Sequence, residues 1–108
     1  MEHKTATTAL AALGHATRLS VFRLLVQAGH SGRLAGEIAA ELSLPGATLS
    51  FHLKELAAAG LVTAEARGRS ICYRAEFDAM NGLIGYLTEN CCAGDAACGP
   101  DARCMPTP

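Results

Sequence analysis

Apolar residues recur at helical spacing through the first quarter of the chain, at Leu10 and Leu13 and then at Leu19, Phe22, Leu25 and Val26. A repeat of three and four places one apolar stripe on a helix, and two helices are predicted here. Gly14-His15 interrupts the stripe, so the first helix ends before that pair and the second starts at His15 or Thr17. Gly29 is the natural stop of the second helix, because glycine readily takes the left-handed conformation that closes one. His30-Ser31-Gly32-Arg33 reads as a turn, and a short third helix follows over 34–42. Ser43-Leu44-Pro45-Gly46 connects it to a fourth helix over 47–59. Proline suits the first turn of that helix, where its missing N–H costs nothing, and Gly60 is placed to end it.

The rhythm then changes. Residues 61–66 and 70–75 are short strand-like runs joined by Arg67-Gly68-Arg69, which predicts a hairpin. A last helix over 77–89 carries Met80, Leu83, Ile84 and Leu87 on one stripe. From Asn90 the chain is mostly Ala, Gly, Asp, Pro and Cys, with little to build a core from, so residues 93–108 are expected to be poorly ordered without a ligand. The expected fold is mainly α with a small β-hairpin (α+β), with about five helices and a two-stranded wing. It divides into a folded domain over 1–90 and a cysteine-rich tail over 91–108.

Two short helices joined by a tight turn, followed by a hairpin with a basic tip, make a winged helix-turn-helix, a DNA-reading unit. With Leu49, Leu53 and Leu56 facing inward, Ala47, Thr48, Ser50, Phe51 and Lys54 fall around the opposite face of the fourth helix. Thr48 and Ser50 offer hydroxyls to base edges or phosphates, although Thr48 serves equally well to cap the helix start. Phe51 either touches a thymine methyl or covers a neighbouring helix. His52 lies at the edge of the buried stripe, where contact with phosphate and a bond inside the domain are both open. Arg67 and Arg69, taken alone, are ordinary surface arginines. Directly after a helix-turn-helix, they suit phosphate contact or the minor groove. His3, His15 and His30 show no ligand spacing and are assigned no function.

Charge supports this division. The formal net charge is -1, but residues 1–75 hold eight Lys or Arg against five Asp or Glu, and residues 76–108 hold one against five. A mildly basic body, able to meet nucleic acid, carries an acidic end. The chain has 108 residues and no Trp, so its core rests on Leu, Ala, Val and Ile, and pairing with a second copy would bury more. No apolar run approaches bilayer length, and the N-terminus lacks the apolar core of a secretory signal, which points to the cytoplasm.

The run from Ala47 through Thr48-Leu49-Ser50-Phe51-His52-Leu53-Lys54-Glu55-Leu56 to Gly60-Leu61-Val62 closely resembles the recognition helix and following strand of the ArsR/SmtB repressors. His15-Ala16-Thr17-Arg18-Leu19 with Val21-Phe22-Arg23-Leu24-Leu25 resembles that family's second helix, and Gly68-Arg69-Ser70-Ile71-Cys72-Tyr73 its wing. The resemblance covers roughly residues 8–88. It implies a homodimer formed through the first and last helices, bound to two-fold operator DNA and released when an ion binds.

The resemblance leaves the ion open, because the family places its sites in different parts of one scaffold. The Cys-x-Cys pair of familiar arsenic sensors is missing from 34–42, and the last helix has no histidine for the familiar zinc site. What remains is Cys91-Cys92-Ala93-Gly94-Asp95-Ala96-Ala97-Cys98. Thiolates are soft donors, and trivalent arsenic favours three of them in a pyramid. Neighbouring cysteines on a regular helix diverge by about a hundred degrees, so the helix should end or unwind near Asn90. The tail is similar to a branch of arsenite repressors with a C-terminal three-cysteine site, implying Cys91, Cys92 and Cys98 as ligands for As(III) or Sb(III). A fourth thiolate from Cys104 would instead suit zinc or cadmium. Cys72, in the wing, is read as packing. Competing readings are a cadmium sensor, a thiol redox sensor and a thiol enzyme; the last needs an activated cysteine in a positive pocket, which an acidic tail does not supply.

Overall fold

The computed structural model describes residues 1–91. Five α-helices and three strands follow one another in the order α1 (His3–Leu13), α2 (Ala16–Ala28), β1 (Arg33–Leu34), α3 (Ala35–Leu42), α4 (Gly46–Ala58), β2 (Val62–Arg67), β3 (Ser70–Ala75) and α5 (Phe77–Thr88). The mainly helical class and the helix-turn-helix pair are as the apolar rhythm predicts.

Each boundary has a local cause. His15 caps α2, its Nδ1 accepting from the Thr17 N–H at 3.2 Å. Glu37 reaches back to accept from the Leu34 N–H at 2.8 Å, which is half of a capping box, since the Leu34 side chain has no acceptor to offer in return. α3 and α4 end in the same way. The Leu44 N–H donates to the Ala39 carbonyl and that of Leu61 to Leu56, both at 3.0 Å, around left-handed Ser43 (φ 53°) and Gly60 (φ 76°). These six-to-one bonds define Schellman closures. Pro45, expected inside the first turn of α4, instead stands just before it as the N-cap, with φ -60° and an extended ψ.

The wing differs from expectation. It is three-stranded, in the order β1-β3-β2, because Arg33 pairs with Tyr73 and Leu34 with Cys72. Arg33, read as turn, and Leu34, read as helix, thus form an edge strand of two residues, too short to show an alternating pattern. Gly32 makes it possible. Its φ is +69°, and a Cβ there would lie 2.5 Å from the Tyr73 carbonyl oxygen and 2.9 Å from Cys72 Sγ. Between β2 and β3 the loop is two residues, Gly68-Arg69, with positive φ only at Gly68, as in a type II′ hairpin turn.

One core joins these elements. Val21 and Leu25 from α2, Ile38 from α3, Leu49, Leu53 and Leu56 from α4, and Leu61 before the wing are almost wholly buried. Ala6 and Ala9 let α1 approach closely, and Leu83 seats α5. No single helix among the described residues is long and apolar enough to cross a membrane.

Gly32 combines a left-handed backbone with a filled Cβ position, so Gly32→Ala is expected to cost about 2–3 kcal/mol of stability. Urea unfolding checks this. Gly68→Ala has open space around it and carries only the backbone penalty, so it should lose less.

Candidate nucleic-acid interface and thiolate site

The core sorts α4 into two faces. Leu49, Leu53 and Leu56 are turned inward, leaving Ala47, Thr48, Ser50, Phe51 and Lys54 exposed. Pro45 holds the N-cap position and Thr48 stands exposed within the first turn. Phe51 is 57% exposed, and its ring lies edge-on to that of its neighbour His52, at 5.5 Å between centroids. A bulky apolar ring beside hydroxyls and an amine suits a groove floor that presents both methyl and polar edges.

His52 lies on the inner side. Its side chain is buried, its ring lies tilted against that of His15 at 4.8 Å between centroids, and its Nδ1 has no hydrogen-bond partner among the described residues. The ring is thus packed inside the domain without a hydrogen bond at Nδ1. Burial first, then the positive potential of His15 and Arg18, push its pKa below the ordinary 6.5, with Glu55 opposing weakly.

Arg69 sits in the hairpin turn, and Arg67 precedes it at the end of β2; both are exposed. Arg67 Nε lies 3.4 Å from Glu65 Oε1, but that carboxylate is engaged mainly by Arg74, at 2.9 Å. The Arg74 bond and charge, with a smaller contribution from Arg67, hold the Glu65 carboxyl below the usual carboxylate range. Arg74 also donates from Nε to the His30 carbonyl at 2.8 Å. It therefore ties the hairpin to the turn after α2 and sets the angle at which the basic tip is presented. Arg74 is not among the residues that spacing singles out. Its signal was present, since Glu65 and Arg74 are diagonal neighbours across β2 and β3.

Cys72 is buried, with Sγ 3.5 Å from the Ser31 carbonyl, which is the packing role expected. Cys91 is half-buried just beyond the end of α5. The helix stops at Thr88, the Glu89 N–H turns back to the Tyr86 carbonyl at 3.3 Å, and Asn90 takes a left-handed φ of 56°. The break expected near Asn90 is there, ahead of Cys91. Cys92, Cys98 and Cys104 lie outside the described residues. Among the described residues no three His, Cys, Asp or Glu side chains converge on a metal position.

A buried helix-turn-helix pair, an exposed polar face on its second helix and a basic hairpin tip together define a winged helix-turn-helix DNA-binding regulator. A family model described as a helix-turn-helix domain matches residues 13–65. Among solved structures, an ArsR-like transcriptional regulator from Rhodococcus sp. RHA1 is 29% identical, with a TM-score of 0.69, over 79% of this chain and 77% of that one. The homodimeric winged helix-turn-helix domain of a possible ArsR-family regulator from Mycobacterium bovis is 28% identical, with a TM-score of 0.64, over 81% of each chain. A possible transcriptional regulator for arsenical resistance is 29% identical, with a TM-score of 0.63, over 73% of this chain and 79% of that one. No curated protein matches the chain. The chain has the winged helix-turn-helix fold of the ArsR-like DNA-binding regulators to which it is similar.

Two measurements probe this interface. In the unfolded chain the His52 ring takes up a proton near the ordinary 6.5, whereas in the fold it resists. Its contribution to stability is therefore present above that value and lost as pH falls below it. Thermal melting of the wild type is expected to drop between roughly pH 7.5 and pH 5.5, and His52→Gln should flatten the drop. At the wing, Arg69→Ala should weaken binding uniformly across DNA sequences and reduce the slope of log K against log salt by about 1. A sequence-selective loss would instead assign Arg69 to base reading.

Proposed function

We propose that the chain is a cytoplasmic, homodimeric repressor that holds operator DNA through α4 and the wing and lets go when As(III), or the similar Sb(III), binds Cys91, Cys92 and Cys98. Residues 1–90 do the reading and pairing, and residues 91–108 do the sensing. Thr48, Ser50, Phe51 and Lys54 meet the major groove, and Arg67 and Arg69 meet the backbone or minor groove beside it. His52 acts from beneath, setting the surface that Phe51 rides on.

The observation that carries the sensing half is the end of α5. Thiols at 91 and 92 can share one ion only if the helix has ended, and it ends at Thr88 with a left-handed Asn90 ahead of Cys91. A donor set of three sulfurs matches the pyramidal preference of a trivalent metalloid and is poor for hard cations. The similarity to a possible regulator for arsenical resistance is consistent with this.

For pairing, Leu10 on α1 and Ile84 and Leu87 on α5 are 42%, 44% and 60% exposed, on two helices that pack together. Large apolar side chains left open on adjoining helices suit a second copy. The Mycobacterium relative is homodimeric by its description.

Fluorescence anisotropy on a labelled fragment of the upstream promoter, with reduced protein titrated with arsenite at fixed salt, is the test. Arsenite should release the wild type and spare Cys98→Ser, while both bind DNA equally without it. Release of Cys98→Ser as well would remove that thiol from the site. Binding that responds only to cadmium or peroxide would replace the inducer and leave the DNA-binding half standing. Leu87→Glu should weaken operator binding by breaking the dimer, a change that sedimentation reads directly.

A further inference from the structure

The N-terminal end of α1 is fastened to the C-terminal end of α5. His3 Nδ1 and the Tyr86 hydroxyl share a hydrogen bond at 2.7 Å, and their rings lie 6.0 Å apart at 59°. Their separation of 83 residues makes this a tie between chain ends, not a local turn. Tyr86 is also where α5 is closed, since its carbonyl receives the Glu89 N–H at 3.3 Å. The same residue thus holds the helix end from the backbone side and α1 from the side-chain side, five positions before Cys91.

From α1 the contacts continue inward. α1 packs on α2, on α5 and directly on α4, with Ala6 and Ala9 buried at the seam. Small residues leave little slack there, so a displacement of α1 must be felt by the helix that presents Thr48, Ser50 and Phe51.

We propose that the His3–Tyr86 hydrogen bond is the tie that holds the DNA-competent arrangement, and that closing the thiolate site at Cys91 acts by undoing it. This rests on the repressor reading above. His3 and Tyr86 are positioning residues that touch neither DNA nor the ion. Arsenite restrains the chain directly after Asn90, pulling on the turn that Tyr86 closes. If the tie is stronger on DNA than off it and absent from the ion-bound protein, linkage fixes the consequence. Removing it must cost operator affinity without inducer, and must shrink the inducer's further effect by the same factor.

The test compares wild type, Tyr86→Phe, His3→Ala, the double variant and His3→Gln, each by operator anisotropy with and without arsenite and by thermal melting. Tyr86→Phe should bind the operator about threefold to tenfold more weakly without arsenite, the worth of one hydrogen bond. Arsenite should then weaken it by correspondingly less than it weakens wild type. The double variant should be no worse than either single one. His3→Gln, which can still bond to the hydroxyl, should behave as wild type. Unchanged affinity in Tyr86→Phe overturns the proposal, and so does a loss with the arsenite effect at full size, which would make the bond merely structural. Should arsenite release neither protein, the inducer reading fails and the inducer-free data decide. A loss in Tyr86→Phe at an unchanged melting temperature, spared by His3→Gln, then sustains the tie, and no loss overturns it.

Discussion

Leu49, Leu53 and Leu56 can be buried in only one way, against Val21 and Leu25 of α2 and Ile38 of α3, and much else follows from that burial. Each such side chain removed from water contributes about 1.5–3 kcal/mol. Rotating α4 by one residue would swing these leucines toward solvent and bring Ser50 and Lys54 toward the core, a polar burial without partners. The orientation of the reading face is therefore set by the residues that never meet DNA. Schellman closures at Ser43 and Gly60 complete the constraint by stopping α3 and α4 at fixed lengths, so the helix can neither turn nor slide.

The wing is positioned by polar means. Its hairpin is held to the body by Arg74, which bonds the His30 carbonyl and the Glu65 carboxylate, and by the close passage of Gly32 over Cys72 and Tyr73. Both fastenings sit on the side of β3 away from the tip. Arg67 and Arg69 are left at the far end, where exposed charge gains little from intramolecular pairing and is available to phosphate. Glu65 tempers Arg67 only through a long contact, since Arg74 has the stronger claim on its oxygen.

Elements that span several turns, or that carry glycine or proline at their ends, were readable from the sequence, because periodicity averages over many residues. β1 was not, since two residues cannot display a period of two and its existence depends on pairing with a strand almost forty residues later. His52 sits where the helical wheel turns from inside to outside, so spacing left its placement open, and the structure buries it against the ring of His15. His3 and His15 looked idle because their partners, Tyr86 and His52, are distant in sequence. The thiolate site is proposed by another route, from donor softness and count, which needs no fold. The break before Cys91, expected from helix geometry, is present, and of that set only Cys91 lies within the described residues.

Charge cannot be what drives release in the proposed mechanism. Three neutral thiols reacting with arsenous acid give a neutral tris-thiolate complex and three waters, so the tail gains no net charge when it closes. Its acidic character, one Arg against five acids from residue 76 onward, is the same before and after. Electrostatic repulsion from DNA is thus unchanged, and the effect has to come from shape, meaning a lower affinity of the ion for the arrangement that fits the operator. A divalent ion held by thiolates differs, because it leaves net negative charge on the tail and adds a repulsion that salt can screen. The salt dependence of release therefore separates the two classes of inducer. For a trivalent metalloid the energy must pass through packed contacts, and the α5–α1–α4 path begins beside Cys91 and ends at the reading helix.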